Sequence, residues 1–222
     1  MNLTRPESRF ERLGPLAGIV GGLLWAANLI LTGGQPQITD GGPQGYVHWF
    51  AGHQAQSVLG AATVAYFCVM MLLFAVAVHR ALRPGTPAHA AAAFAGGIGL
   101  ALSTGLVAMI SAAEADASSQ HNAAALTSIG FLDGDTWLLT SATMAAFFLA
   151  TGLGALHARA LPRAWAIITI VLGVVCLVPL GGIGAYFVTP VWLIVTGTML
   201  YRRQATAATA ATPAPQPQSS LA

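Results

Sequence analysis

Long apolar stretches alternate with short polar segments along most of this 222-residue chain. A helix needs about 20 apolar residues to cross the hydrocarbon core of a bilayer, where it satisfies its own backbone hydrogen bonds. The pattern therefore predicts an all-α fold, an integral membrane bundle of six transmembrane helices. The predicted spans are residues 14–32, 55–79, 89–113, 136–157, 164–180 and 185–201.

Polar segments at both ends divide the chain into three parts. Residues 1–13 are predicted to be a cytoplasmic N-terminal segment, and residues 14–203 the six-helix transmembrane domain. Residues 204–222 are rich in Ala, Thr, Pro and Gln. Such a composition predicts a disordered, low-complexity tail.

Composition supports a membrane location and excludes several other classes of protein. Only 7% of the residues are charged, against about 25% in soluble domains. The net charge of +2 comes from arginines that flank the spans, so nucleic acid is not an expected partner and the lipid bilayer is. Cys68 and Cys176 each lie within a predicted span, where they indicate neither a disulfide nor a metal framework.

All nine cationic residues are arginines, and they fall into four groups separated by apolar stretches. These groups are Arg5, Arg9 and Arg12; Arg80 and Arg83; Arg159 and Arg163; and Arg202 with Arg203. Arginines beside a span are retained on the cytoplasmic side of the membrane. We therefore expect both termini to be cytoplasmic in a bacterial cytoplasmic membrane, with residues 33–54 and 114–134 outside.

Five of the seven acidic residues lie in or beside the two predicted external segments, together with three histidines and no cation. They are Asp40, Glu114, Asp116, Asp133 and Asp135, with His48, His53 and His121. The simplest interpretation is that solvated loops hold acids while topology keeps arginine inside. A metal site would need both segments, and no spacing among these residues indicates one. No cofactor motif is present either.

Two acidic pairs go beyond this simple interpretation. Asp135 is predicted to cap the N-terminus of the fourth span, which leaves Asp133 without a structural reason. Glu114 and Asp116 are predicted at the C-terminal end of the third span, where acids oppose the helix dipole. One of two carboxyl groups at an apolar boundary can stay protonated and act as an acid.

Glycine and alanine recur every four residues in the first and third predicted spans, and this spacing predicts close packing between helices of the bundle. Asn28 is one of the few polar residues at depth, where an amide serves as a contact between helices. No ionisable residue lies in the middle of a predicted span, which counts against a proton-coupled transporter.

Three segments carry a resemblance to known proteins: Phe74 to Arg83, Leu161 to Trp165, and Val191 to Arg203. They resemble a pattern of hydropathy and anchor residues in small actinobacterial multi-pass membrane proteins whose function is not established. The chain is also similar in size and span number to bacterial integral-membrane terpene cyclases. The string Asp133-x-Asp135-Thr136 resembles the Asp-rich acid motif of protonation-initiated cyclases, although it lacks their further adjacent Asp.

The resemblance implies an enzyme in which a carboxylic acid protonates an alkene or epoxide of a hydrophobic, isoprenoid-like substrate. Asp133 or Asp135 would be the proton donor, and Glu114 or Asp116 its partner or a stabiliser of the cation. The residues expected to bind the substrate are Trp49, Trp137, His48 and Asn28. Two alternatives remain open: a non-catalytic component that assembles with a partner membrane protein, and a facilitator for a small neutral solute.

Overall fold

The computed structural model describes residues 9–36 and 38–210, and in these ranges the chain folds into seven helices. The helices are α1 (Arg9–Thr32), α2 (Ile38–Gly52), α3 (Gln54–Leu82), α4 (Pro87–Ser119), α5 (Ala123–Ala158), α6 (Arg163–Val175) and α7 (Pro179–Ala210). The predicted all-α class is confirmed for this part of the chain.

Within the described residues, five segments are long and apolar enough to cross a membrane. They are Leu13–Thr32, Gln54–Leu82, Pro87–Ser119, Ala123–Ala158 and Gly181–Thr206. These segments correspond to the first four predicted spans and the sixth. Many of their large apolar side chains face outward, including Ile30, Met109 and Leu138. The protein is therefore a helical multi-pass membrane protein.

The remaining predicted span, residues 164–180, forms the shorter helix α6. Its 13 residues reach about 20 Å, less than the hydrocarbon thickness of about 30 Å. The helix ends in a turn in which the Leu177 and Val178 N–H groups donate to carbonyls three residues earlier. Pro179 follows, and a proline disfavours helical backbone geometry in the residue that precedes it. The count of six complete spans thus stays a prediction.

Successive long helices run antiparallel, so alternate connecting loops lie together at the same end of the bundle. A Cβ added to Gly85 would lie 2.8 Å from the Cα of Ala158, so the α3–α4 and α5–α6 loops are neighbours. The Arg203 guanidinium donates a hydrogen bond of 2.7 Å to the Arg159 carbonyl. Helix α7 therefore returns to the end of the bundle from which α6 leaves.

We call the end formed by residues 83–86, 159–162 and 202–203 the arginine end. The opposite end, which holds Glu114 near the end of α4 and Asp133 on α5, is the acid end. Helix α2 lies at the acid end, where it contacts α4 and α5.

Small residues allow the helices to approach closely, as their spacing predicts. Gly18 of α1 faces the Phe74 ring of α3, and Gly22 faces the Pro190 carbonyl of α7. Gly97 of α4 faces Ala75 of α3. These glycines contact other helices of the same chain, so they serve the bundle itself.

Both predicted external segments are largely helical. Residues 38–52 form α2, while α4 continues to Ser119 and α5 begins at Ala123, so only three residues connect them. The prediction that Asp135 caps a helix is wrong, because Asp135 lies within α5. The cap is Asn122, whose Oδ1 accepts a 3.0 Å hydrogen bond from the Ala125 N–H.

Residues 14 and 203, the predicted ends of the transmembrane domain, lie within α1 and α7. Helix α7 continues to Ala210, seven residues into the segment predicted to be a disordered tail. Residues 211–222 and residues 1–8 of the predicted N-terminal segment lie outside the described residues.

Candidate functional site

A cavity of about 570 Å³ lies inside the bundle toward the acid end. Helices α1, α3, α4, α5 and α7 form its walls, together with the linker that follows α1. Five aromatic side chains contribute to the lining, namely Trp25, Phe67, Trp137, Tyr186 and Phe187. The chamber is thus mainly apolar and aromatic, as sites for hydrophobic small molecules are.

Contacts between aromatic rings from four helices shape this cavity. Trp25 packs edge-on against Phe67, with 4.5 Å between ring centroids, and lies 4.8 Å from the Tyr186 ring. Tyr186 in turn meets Trp137 at 5.3 Å. A Cβ added to Gly134, which also lines the cavity, would meet no atom within 4 Å. Rigid rings therefore surround open space that no neighbouring side chain fills.

Asp133 is the only carboxyl group on the cavity wall among the described residues. It lies on α5 and is half-buried. Its backbone carbonyl accepts a 2.7 Å hydrogen bond from the Thr136 hydroxyl. An acidic side chain on an otherwise apolar wall is a candidate proton donor or ligand anchor.

Several buried polar atoms around the cavity have no hydrogen-bond partner within the described part of the chain. They are Trp25 Nε1, Asn28 Oδ1, Trp137 Nε1 and Thr140 Oγ1. A buried polar atom without a partner costs about 1–3 kcal/mol. Water or the polar groups of a bound molecule can supply the missing partners of these four atoms.

Glu114 lies near the cavity but belongs to a separate buried contact. Its side chain is 0% exposed, and its Oε1 accepts a hydrogen bond from the hydroxyl of Tyr46, which is 2% exposed. Burial, this hydrogen bond and the charges of Glu114 and Asp133 raise the pKa of Tyr46. Tyr46 therefore stays protonated and donates. Glu114 Oε2 has no hydrogen-bond partner among the described residues.

The linker between α1 and α2 connects this contact with the cavity. Gln35 lines the cavity, and its side chain also interacts with the Tyr46 hydroxyl. Tyr46 is held by Phe50, Leu126 and other residues of a small apolar cluster between α2 and the α4–α5 hairpin. Helix α2 thus covers the acid end and is tied to Glu114.

The structure brings three of the predicted site residues to the cavity: Asp133, Trp137 and Asn28. Asp116 and Asp135 are exposed and do not line it. The aspartate pair of the predicted acid motif is therefore divided, because residues two apart on a helix point about 200° apart.

His48 and Trp49 lie at a different place, a pocket of about 570 Å³ on α2 and the linker before it. The Trp49 ring stacks on His53 at 4.6 Å. No group of three or more His, Cys, Asp or Glu side chains among the described residues is arranged to hold a metal ion.

Sequence reasoning missed four residues that define the site: Trp25, Phe67, Tyr186 and Tyr46. The first three are aromatic residues within apolar stretches, where nothing distinguishes a cavity wall from a core. One signal was available for Trp25, because it lies three residues before Asn28 and therefore on the same helical face.

Comparison with known protein families, curated proteins and solved structures found no match to this chain. The function is accordingly argued from the cavity and its chemistry.

Proposed function

We propose that the protein is a membrane-embedded cyclase that binds an isoprenoid-like hydrophobic substrate in the cavity and protonates it with Asp133. The observation that carries this proposal is the position of Asp133, a carboxyl group on the wall of an aromatic cavity of about 570 Å³. A hydrophobic substrate reaches such a cavity from the bilayer, in which it already dissolves.

The proposed reaction is an isomerisation that starts and ends at Asp133. Its carboxyl proton adds to a terminal alkene carbon, or to an epoxide oxygen whose C–O bond then breaks. The electron pair of an internal alkene forms a C–C bond to the resulting cationic carbon and closes a ring. Loss of a neighbouring proton to the Asp133 carboxylate, directly or through water, forms a new C=C bond and restores the acid. No oxidant or reductant is consumed.

The aromatic rings supply the stabilisation that such a reaction needs. Cationic carbon over the face of a tryptophan or tyrosine ring is attracted by about 2 kcal/mol or more when water is excluded. Trp25, Trp137 and Tyr186 surround the cavity from three helices. The unpartnered Trp25 and Trp137 N–H groups are suited to bind an epoxide or hydroxyl oxygen of the substrate.

The other acids have different roles in this proposal. Glu114 is the hydrogen-bond partner of Tyr46 and holds α2 against α4. It therefore supports the site without touching the substrate. Asp116 and Asp135 are exposed and take no part in the chemistry.

A pair of matched variants tests the proposal. Membranes containing wild-type protein, Asp133→Asn or Asp135→Asn are incubated with acyclic isoprenoids of increasing length and their terminal epoxides, and products are analysed by mass spectrometry. Asp133→Asn keeps the shape of the side chain but removes the acid, so we expect cyclised product to fall at least a hundredfold. Asp135→Asn, two residues away, is expected to retain full activity.

Full cyclase activity in Asp133→Asn would show that another group donates the proton. Absence of any cyclised product from wild-type protein across the substrate series would count against catalysis. In that case, binding of the same isoprenoids would leave the cavity as a binding site only.

We also propose that the arginine end faces the cytoplasm in a bacterial cytoplasmic membrane, since arginines flanking spans are retained there. Single cysteines are placed at Gln44 and Ala88 in a background without Cys68 and Cys176. An impermeant thiol reagent added to intact cells should label position 44 and not position 88. The reverse labelling would invert the proposed orientation.

A further inference from the structure

A third pocket, of about 620 Å³, lies at the arginine end, opposite the cavity. Its lining consists of Leu156, His157, Arg159, Leu161 and Arg163. Two guanidinium groups and two leucines thus share one pocket at the boundary of an apolar bundle. This combination suits a molecule that joins an anion to apolar chains.

The backbone conformation of Arg159 is the first observation that points to a role for its side chain in this pocket. Arg159 ends α5 in the left-handed region, with φ 50° and ψ 35°. Its N–H and that of Ala160 both donate to the Ala155 carbonyl, which closes the helix end. Glycine is the usual residue in this position because it has no Cβ to clash. Helix termination alone would therefore favour glycine over arginine.

Arg203 brings a third guanidinium to the same place. Its Nη1 donates a 2.7 Å hydrogen bond to the backbone carbonyl of Arg159. Every carboxylate whose side chain the structure describes lies toward the acid end, namely Glu114, Asp116, Asp133 and Asp135. The side chains of Glu7, Glu11 and Asp40 are outside the described part of the chain. Cations gathered in this way repel one another unless an anion joins them.

Two general effects account for only part of the arrangement. Retention of cations on the cytoplasmic side explains why arginines lie at this end. The dipole of α5 favours cations near its last carbonyls. Neither effect calls for arginine at a left-handed position, and neither requires Arg203 to be held against Arg159.

We propose that this pocket binds the phosphate group of an anionic membrane phospholipid. Arg159 and Arg163, with Arg203 beside them, bind the phosphate oxygens, since guanidinium groups match phosphate with paired hydrogen bonds. Leu156 and Leu161 contact the first carbons of the acyl chains. Basic pockets between helices at the cytoplasmic surface recognise lipid headgroups in this way.

The test uses the full-length protein purified in a neutral detergent, with thermal unfolding followed after adding phosphatidylglycerol, phosphatidylcholine or inorganic phosphate. At a hundredfold excess over its Kd, phosphatidylglycerol should raise the Tm by about 5–10 °C. Phosphatidylcholine should produce little change. An equal shift with inorganic phosphate would overturn the lipid assignment in favour of a soluble phosphate compound.

Arg159→Gly separates lipid binding from folding, because glycine suits the left-handed position. Without lipid this variant should unfold at the same temperature as wild type or higher, yet it should lose at least half of the shift caused by phosphatidylglycerol. Arg163→Gln should lose a similar share.

Arg83→Gln is the matched control, since it removes one charge from the same end outside the pocket. It should keep the full shift. An equal loss in Arg83→Gln and Arg159→Gly would show that only overall charge matters, and the pocket would not be a site. A full shift in Arg159→Gly would also overturn the proposal.

Discussion

The two halves of the bundle are packed in different ways. Toward the arginine end the helices meet backbone to backbone, as at Gly96, where an added Cβ would lie 2.7 Å from the Phe147 nitrogen. Beside this contact the rings of Phe74, Phe147 and Trp192 interlock, all fully buried. Toward the acid end, the rings of Trp25 and its neighbours surround open space instead.

Under the proposed function, this difference separates the source of stability from the place of catalysis. Close contacts around small residues let the bundle hold together within a bilayer, where helices gain nothing from leaving water. The acid half instead holds the cavity, which is bordered by four polar atoms without a hydrogen-bond partner among the described residues. The four predictions that follow test this division, beginning with the largest effect.

Gly96→Leu should break the closely packed half. Its side chain would collide with the backbone of α5 at Phe147, and a backbone cannot move aside as a flexible side chain can. We expect a loss of about 3 kcal/mol in the free energy of unfolding, or failure to accumulate folded protein. Unfolding by a denaturing detergent in mixed micelles, followed by circular dichroism, measures the change. Wild-type stability in this variant would mean that the two helices are not in contact at this point.

The features that sequence reasoning predicted are those encoded locally. Apolar runs predicted the long helices, and glycine spacing predicted the close faces. Helix ends were predicted less well, because hydropathy reports where lipid contact ends and not where the helix does. Helix α4 continues past Glu114 to Ser119, and it stops only where His121 adopts a positive φ of 53° and Asn122 caps α5.

The candidate site was predicted only in part, for a different physical reason. Asp133 and Trp137 are recognisable as polar or amphipathic residues near an apolar boundary, and Asn28 as a polar residue at depth in a span. The Tyr46–Glu114 hydrogen bond joins residues 68 positions apart. Such a contact depends on the fold of α2 over the acid end, and no periodicity in the sequence specifies it.

Tyr46→Phe tests whether the acid end depends on this hydrogen bond. The variant leaves the ring in place but removes the only hydrogen bond observed to the buried Glu114 carboxyl group within the described residues. We expect a loss of about 1–3 kcal/mol, again measured by unfolding in mixed micelles. Tyr66→Phe, at an exposed position of α3, should change stability by less than about 0.5 kcal/mol.

High pH should reduce the loss of unfolding free energy caused by Tyr46→Phe, which we call the penalty. The direction of this change follows from the raised pKa of Tyr46. In the unfolded chain this tyrosine ionises near its ordinary value of 10.0, whereas in the folded protein it stays protonated above that value. Its contribution is therefore complete below pH 10 and declines as pH rises beyond it. The penalty should shrink by about 1 kcal/mol between pH 10 and pH 11, because the unfolded-state tyrosine is already half ionised at pH 10. A penalty constant over this range would show that Tyr46 is not protected from ionisation.

Gly134→Leu should have the smallest effect on stability while impairing the cavity. The added Cβ meets no atom within 4 Å, and Gly134 lines the cavity, so a leucine is accommodated at the cavity wall without a collision. Replacing a glycine inside a helix favours folding by up to about 1 kcal/mol, so we expect unfolding to be unchanged or slightly harder. Occupying the cavity should nevertheless weaken binding of an isoprenoid alcohol such as geranylgeraniol at least tenfold. Quenching of tryptophan fluorescence reports this binding, because Trp25 and Trp137 line the cavity.

Gly184→Leu is the matched control: its added Cβ is equally unobstructed, and Gly184 does not line the cavity. Equal affinities in the two variants would show that the ligand binds elsewhere, and the contrast between a packed half and a functional half would lose its basis.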